Sequence, residues 1–199
     1  MSEIKFFNRW SSEGIKVEDP GLEKYISFEA KYVPRTGARY AGNRFHRAKV
    51  SVVERLINKV MVPGHRSKKH KITSGHMTGK AVTASKIVEK AFEIIETKTK
   101  ENPIKVLVKA IENGAPREEI ISIEYGGARY PKAVEIAPIR RIDYVLRLIS
   151  QGAFQKSFNT KKAISNTLAD EIINTYNLSG LSMAISKKLE LERQADSSR

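Results

Sequence analysis

Residues 120–141 read IISIEYGGARYPKAVEIAPIRR. Ile121 and Ile123 alternate with polar neighbours, and Val134 and Ile136 repeat the pattern beyond Gly126-Gly127. Period-two alternation marks strands, and paired glycines supply the positive φ angles of a tight two-residue turn. The stretch therefore predicts a β-hairpin at about 120–137. Pro131 fits such a ribbon only at an edge or a bulge. An isolated two-stranded ribbon is marginal in water, so its base must rest on other elements. Its tip, carrying Tyr125, Arg129, Tyr130 and Lys132, is then free or clasped by a partner. A plain helix-to-helix connector is the competing account.

Everything around the hairpin reads as helix or loop. Downstream, Pro138 opens a helix with the apolar stripe Ile142, Val145, Leu146 and Ile149. Asn159 or Thr160 is the expected cap of the next, which carries Ile164, Leu168 and Ile172. Asn177–Gly180 reads as a turn, and Met183–Ala195 as a last, highly charged helix. Upstream, Asn102-Pro103 pairs an N-cap residue with proline at the first helical position. Ile104, Leu107, Val108 and Ile111 follow as its buried face, and Gly114 is the expected stop. Ala84 to Ile95 carries another stripe, running to about Lys100. Val53, Leu56, Ile57, Val60 and Met61 form one that Pro63-Gly64 ends. The fold class is mainly α: a bundle of about six helices with one projecting β-hairpin and an extended N-terminal arm. The arm is expected at 1–47, basic in its second half and packed through Phe6, Phe7 and Trp10. The helical domain is expected at 48–199.

The charge balance narrows the function. The chain of 199 residues has 36 lysines and arginines against 22 aspartates and glutamates, a net charge of +14. Such a surface calls for an anionic partner, nucleic acid being the commonest. An anionic membrane is the rival, yet no apolar run approaches the about 18 residues of a spanning helix, and MSEIKFFNRW lacks the layout of a secretory signal. With no cysteine, disulfides and thiolate zinc sites are excluded. The expected class is a soluble, intracellular, polyanion-binding protein.

Three basic regions stand out. From Lys31 to Val53 no acid appears, and Arg35, Arg39, Arg44, Arg47 and Lys49 interleave with Tyr32, Tyr40 and Phe45. Cations with aromatics every few positions offer both phosphate neutralisation and base stacking. The loop HRSKKHKITSGHMTGK at 65–80 is equally basic, with Arg66, Lys68, Lys69 and Lys71 but no aromatic. On the helix after Pro138, about 100° per residue gathers Arg140, Tyr144, Arg147 and Gln151 opposite the apolar stripe. Two guanidiniums flanking a phenol suit a phosphate backbone; an ordinary solvated face is the alternative. GHMTGKA at 75–81 fails as a P-loop, because the glycines are too close and Ala81 replaces the hydroxyl. His65, His70 and His76 lack helical spacing and sit among lysines, so no metal is expected. No cofactor loop, nucleophile motif or acid–base pair supports an enzyme. Glu118-Glu119 reads as a helix-to-strand junction.

RYAGNRFHRAKVSVVERLINKVM, NPIKVLVKAIENGAP, YGGARYPKAVEIAPIRR and AISKKLELERQADS, in this order and spacing, resemble the universal ribosomal protein family numbered seven of the small subunit. The resemblance covers nearly the whole chain; FFNRWS and RYAGNRF resemble the archaeal and eukaryotic members, and YGGARY with the PKAVEIAP return strand looks more archaeal than eukaryotic. It implies a cytoplasmic, non-enzymatic protein without cofactors. Such a protein binds the 3′ major domain of small-subunit ribosomal RNA and nucleates assembly of the head. It sits among other small-subunit proteins at the subunit interface, near exit-site transfer RNA and the path of exiting messenger. Carried over here, Tyr125, Gly126, Gly127, Arg129, Tyr130 and Lys132 approach that transfer RNA. Arg140, Arg141, Arg147, the basic stretch Arg35–Lys49 and the loop Arg66–Lys71 face ribosomal RNA. A histone-like DNA-binding module is the alternative from another class.

Overall fold

The computed structural model describes residues 4–37, 39, 42–63 and 76–199. In chain order these form α1 (Pro20–Glu23), a 3-10 turn (His46–Lys49), α2 (Val52–Val60), α3 (Ala81–Thr99), α4 (Pro103–Gly114), β1 (Glu118–Tyr125), β2 (Ala128–Glu135), α5 (Pro138–Ser157), α6 (Ile164–Tyr176) and α7 (Met183–Asp196). The mainly helical bundle with one antiparallel hairpin is thus as the sequence predicts.

Local chemistry sets most boundaries. Asn102 caps α4 by accepting from the Ile104 N–H at 3.0 Å, and its amide donates to the Ser11 carbonyl at 2.8 Å. Gly114 does end α4, but not by turning left-handed. A Cβ there would lie 3.1 Å from Val145 Cγ1 and 3.2 Å from Thr175 Cγ2, so the glycine lets α4 approach α5 and α6 closely. The cap expected at Asn159 or Thr160 is displaced to Ala163. Asn159 instead reverses the chain after α5 at φ 55°, and the Thr160 hydroxyl donates to the Ser157 carbonyl at 2.9 Å. Both residues finish α5 instead of starting α6.

α6 lies against α3, α4 and α5, and the core runs through Phe92, Ile95, Leu107, Ile111, Leu146, Ile149, Leu168 and Ile172. Phe6, Trp10, Leu22 and Ile26 belong to the same buried cluster. Trp10 meets Phe92 edge-on with centroids 5.8 Å apart, and its indole N–H donates to Glu96 at 3.1 Å. Arg141 pins this segment from α5, donating to Asp19 and to the Pro116 carbonyl, each at 3.0 Å. A fully buried carboxylate, Glu171, ties α5 to α7. It accepts from Lys156 at 2.5 Å, from the Met183 N–H at 2.5 Å and from the Ser182 hydroxyl at 3.1 Å.

The ribbon pairs Glu118 with Glu135 through to Tyr125 with Ala128, closed by Gly126 at φ 59° and Gly127 at φ 81°, a type I′ geometry. Counting back from the closing pair, Ser122–Pro131 is a non-hydrogen-bonded pair. The missing proline N–H is therefore not required by the ladder. The base rests on α7: the Arg117 N–H donates to Glu192 at 3.2 Å. Residues 121–132 are all exposed. Directly paired residues share a face, so Ile121, Ile123, Tyr125 and Tyr130 lie together on one exposed side.

Candidate nucleic-acid interface

Of the residues singled out for RNA, Arg35, Arg39, Arg44, Arg47, Lys49, Arg140 and Arg147 are exposed. Tyr40, Arg66, Lys68, Lys69 and Lys71 lie outside the described residues, as do His65 and His70. Arg140 bonds Glu119 at the ribbon base at 2.8 Å. Arg147 lies over the Tyr144 ring at 5.2 Å, so the pair on α5 is a preassembled cation–aromatic unit. Gln151 does not join them. The second half of α5 is covered by α6 and α7, and Gln151 is buried there. Arg141 is also turned inward, with 11% of its side chain exposed and its guanidinium committed to Asp19.

Periodicity did not show a cluster of charge between the 3-10 turn, α2 and α5. Asp143 is its centre: Arg47 donates to one carboxylate oxygen at 2.5 Å and Arg55 to the other at 3.2 Å. Burial pushes the Asp143 carboxyl up, but Arg55, the hydrogen bond from Arg47 and the charge of Lys59 outweigh it and hold the group below its usual range. Arg55 is only 4% exposed and also donates to the Tyr25 carbonyl at 3.2 Å. Lys59 is half-buried; burial, then the repulsion of Arg47, Arg147 and Arg55, holds its amino group below the ordinary lysine range despite Asp143. Arg47, Arg55 and Lys59 thus share one carboxylate. Arg55 and Lys59 were hidden from sequence reading because they sit within the helical stripe of α2. Only the position of Asp143, 88 residues downstream of Arg55, reveals their use.

A groove opens from this cluster. One wall is the segment Val33–Gly37, fastened to α2 because Glu54 accepts from the Thr36 N–H at 2.7 Å and from its hydroxyl at 2.6 Å. The start of α3, with Val82 and Ser85, forms another. At the rim Phe45 is 66% exposed and holds φ 60°, a left-handed conformation costing an L-residue about 1–2 kcal/mol. Arg44 covers its ring at 5.3 Å. Arg35, Arg39, Arg44 and Lys49 have no carboxylate partner among the described residues. No helix among those residues is long and apolar enough to cross a membrane.

Comparison with known proteins gives this surface a setting. A family model described as ribosomal protein S7p/S5e matches residues 22–199. A protein of Nanoarchaeum equitans named small ribosomal subunit protein uS7 is 52% identical over 197 residues, spanning 99% of this chain and 100% of its own length. One of the same name from Archaeoglobus fulgidus is 47% identical over 197 residues, spanning 99% and 96% respectively.

Proposed function

The chain belongs to the ribosomal protein S7p/S5e family, and we propose from that premise that it is an architectural, non-enzymatic protein that binds ribosomal RNA in the head of the small subunit. The observation that carries the reading is a set of exposed cations with no carboxylate partner among the described residues, Arg35, Arg39, Arg44, Lys49 and Arg147, two of which lie over aromatic rings: Arg44 over Phe45 and Arg147 over Tyr144. Other cations are matched to carboxylates, as in Arg140–Glu119, Lys98–Asp170 and Lys156–Glu171. The unmatched set neutralises phosphates, the rings stack on unpaired bases, and the bundle fixes the angle at which RNA helices meet. Binding the 3′ major domain early would nucleate assembly of the head. The ribbon, with Tyr125, Arg129, Tyr130 and Lys132 at its exposed end, would reach toward exit-site transfer RNA near the messenger path.

Binding to a 3′ major domain transcript is expected to weaken steeply as salt rises. Arg44→Glu and Arg147→Glu should each weaken it further, and junction RNA should outcompete duplex DNA. A salt-independent affinity, or equal binding to duplex DNA, would overturn the reading and favour a histone-like module. The ribbon is tested separately. Replacing Ser122–Pro131 by Asn-Gly keeps Ile121 opposite Lys132, a hydrogen-bonded pair on which a two-residue turn can close. It should spare ribosomal RNA binding while changing transfer-RNA occupancy at the exit site of reconstituted subunits.

A further inference from the structure

We propose that the groove beside Asp143 seats one unpaired nucleotide, its phosphate on the cations of the cluster and its base against Phe45. This rests on the RNA-binding reading and narrows it to a single place and a single conformation of the RNA.

Both Asp143 oxygens are already used, one by Arg47 and one by Arg55. Lys59, which lines the groove, therefore stands in a positive neighbourhood with no carboxylate of its own among the described residues. Like charges held together at a partly buried site repel strongly unless an anion enters. A phosphate is the anion that can accept from several donors at once. Arg55 cannot turn away to solvent, because it is buried and held by the Tyr25 carbonyl. The positive end of the groove is therefore fixed before any ligand arrives.

The shape of the rest selects an unpaired base. Beyond the cations the wall carries an apolar strip, Val33, Pro34, Ile57, Met61 and Val82, between polar residues that include Asn58, Ser85 and Glu54, whose carboxylate is held by Thr36. A phosphate of duplex RNA has its base turned into the helix, where this wall could not touch it. A splayed nucleotide offers the base face as well. Phe45, an exposed ring kept in a strained backbone conformation at the same rim, supplies the flat surface. Strain on a solvent-exposed aromatic is not explained by core packing, since Phe45 fills no buried space. It is explained by the need to present the ring.

The two halves of the seat have different signatures. Lys59→Met should weaken binding to the 3′ major domain transcript about tenfold at moderate salt. It should also reduce the slope of log affinity against log salt by about 0.7, the release expected for one single-stranded phosphate. Phe45→Ala should weaken binding about five- to tenfold, the scale of one lost stack, and leave the slope unchanged. Ultraviolet cross-linking of the wild-type complex should join one nucleotide to the peptide containing Phe45. Circular dichroism and melting of the variants guard against misfolding, and Arg47→Ala, at a second cation lining the groove, is another route to the slope change. Wild-type slope in both Lys59→Met and Arg47→Ala overturns the phosphate seat, and full affinity in Phe45→Ala overturns the base seat. Either result leaves the broader reading intact if the wild type still binds RNA with steep salt dependence. Loss of that dependence in the wild type itself would defeat the broader reading instead.

Discussion

Consider Asp143→Asn. The substitution keeps size and one acceptor oxygen but removes the carboxylate charge paired with Arg55, whose side chain is 4% exposed. Breaking a buried ion pair from one side costs about 3–5 kcal/mol; because Asn still accepts a hydrogen bond and Asp143 is partly open to solvent, about 2–3 kcal/mol is expected. The contact with Arg47, 64% exposed, adds little, under about 1 kcal/mol. At about 2–4 °C per kcal/mol for a chain this long, the melting temperature should fall by about 4–12 °C. Urea unfolding at neutral pH, followed by circular dichroism, gives the free energy directly. The pH dependence has a definite sign. Asp143 is held below its usual range in the folded state, so its contribution is fully present above about pH 4 and is lost as pH falls through the folded value. The gap between wild type and variant should therefore close in acid. Adding Arg55→Met should restore most of the loss, because an apolar side chain does not need the carboxylate. A neutral-pH difference under about 0.5 kcal/mol, well inside the scatter of surface substitutions, would refute the reasoning, as would a gap that persists unchanged into strong acid.

Glu171→Gln removes the shared charge for Lys156, Ser182 and Met183, and should destabilise by about 3 kcal/mol in the same urea assay. Gly152→Ala places a Cβ 2.8 Å from that carboxylate, and about 1–3 kcal/mol of destabilisation is expected from the crowding. Trp10→Ala removes the ring on Phe92 and the bond to Glu96; about 3–5 kcal/mol should be lost, with limited proteolysis cutting first before residue 30. Gly126→Val opposes a left-handed backbone by about 1–2 kcal/mol, yet residues 121–132 are exposed. Hydrogen exchange should accelerate in the ribbon while the global urea midpoint stays where it was.

The features legible in the sequence are those set by neighbours in the chain. Gly126-Gly127 between alternating runs gave the turn, and Asn102-Pro103 gave the start of α4, because a turn and a cap are completed within a few residues. Asn159 and Thr160 misled for the same reason in reverse. Their side chains can serve either the helix behind or the helix ahead, and only the placement of α6 decides. Gln151 failed differently. Its angle around α5 was right, but the helix is solvated on that side only in its first half, since α6 and α7 cover the second. The candidate site was half legible. Exposed cations among aromatics announce themselves, whereas Arg55 and Asp143 form a pair 88 residues apart, and no local pattern encodes that meeting. Arg141 and Asp19, 122 residues apart, show the same limit. One internal pin was read as an RNA contact because charge alone does not say which way a side chain faces.

The ribbon leans on α7, and the Glu192 that receives the Arg117 N–H lies 75 residues further along the chain. During synthesis both strands and their turn therefore exist well before the helix that sets their inclination. Until α7 folds back across its root, the hairpin is held from the α5 side alone, by the Arg140–Glu119 bond and the bond from Arg141 to the Pro116 carbonyl. The second support arrives at the close of folding. A change that frays α7 would leave the aim of the ribbon to α5 alone.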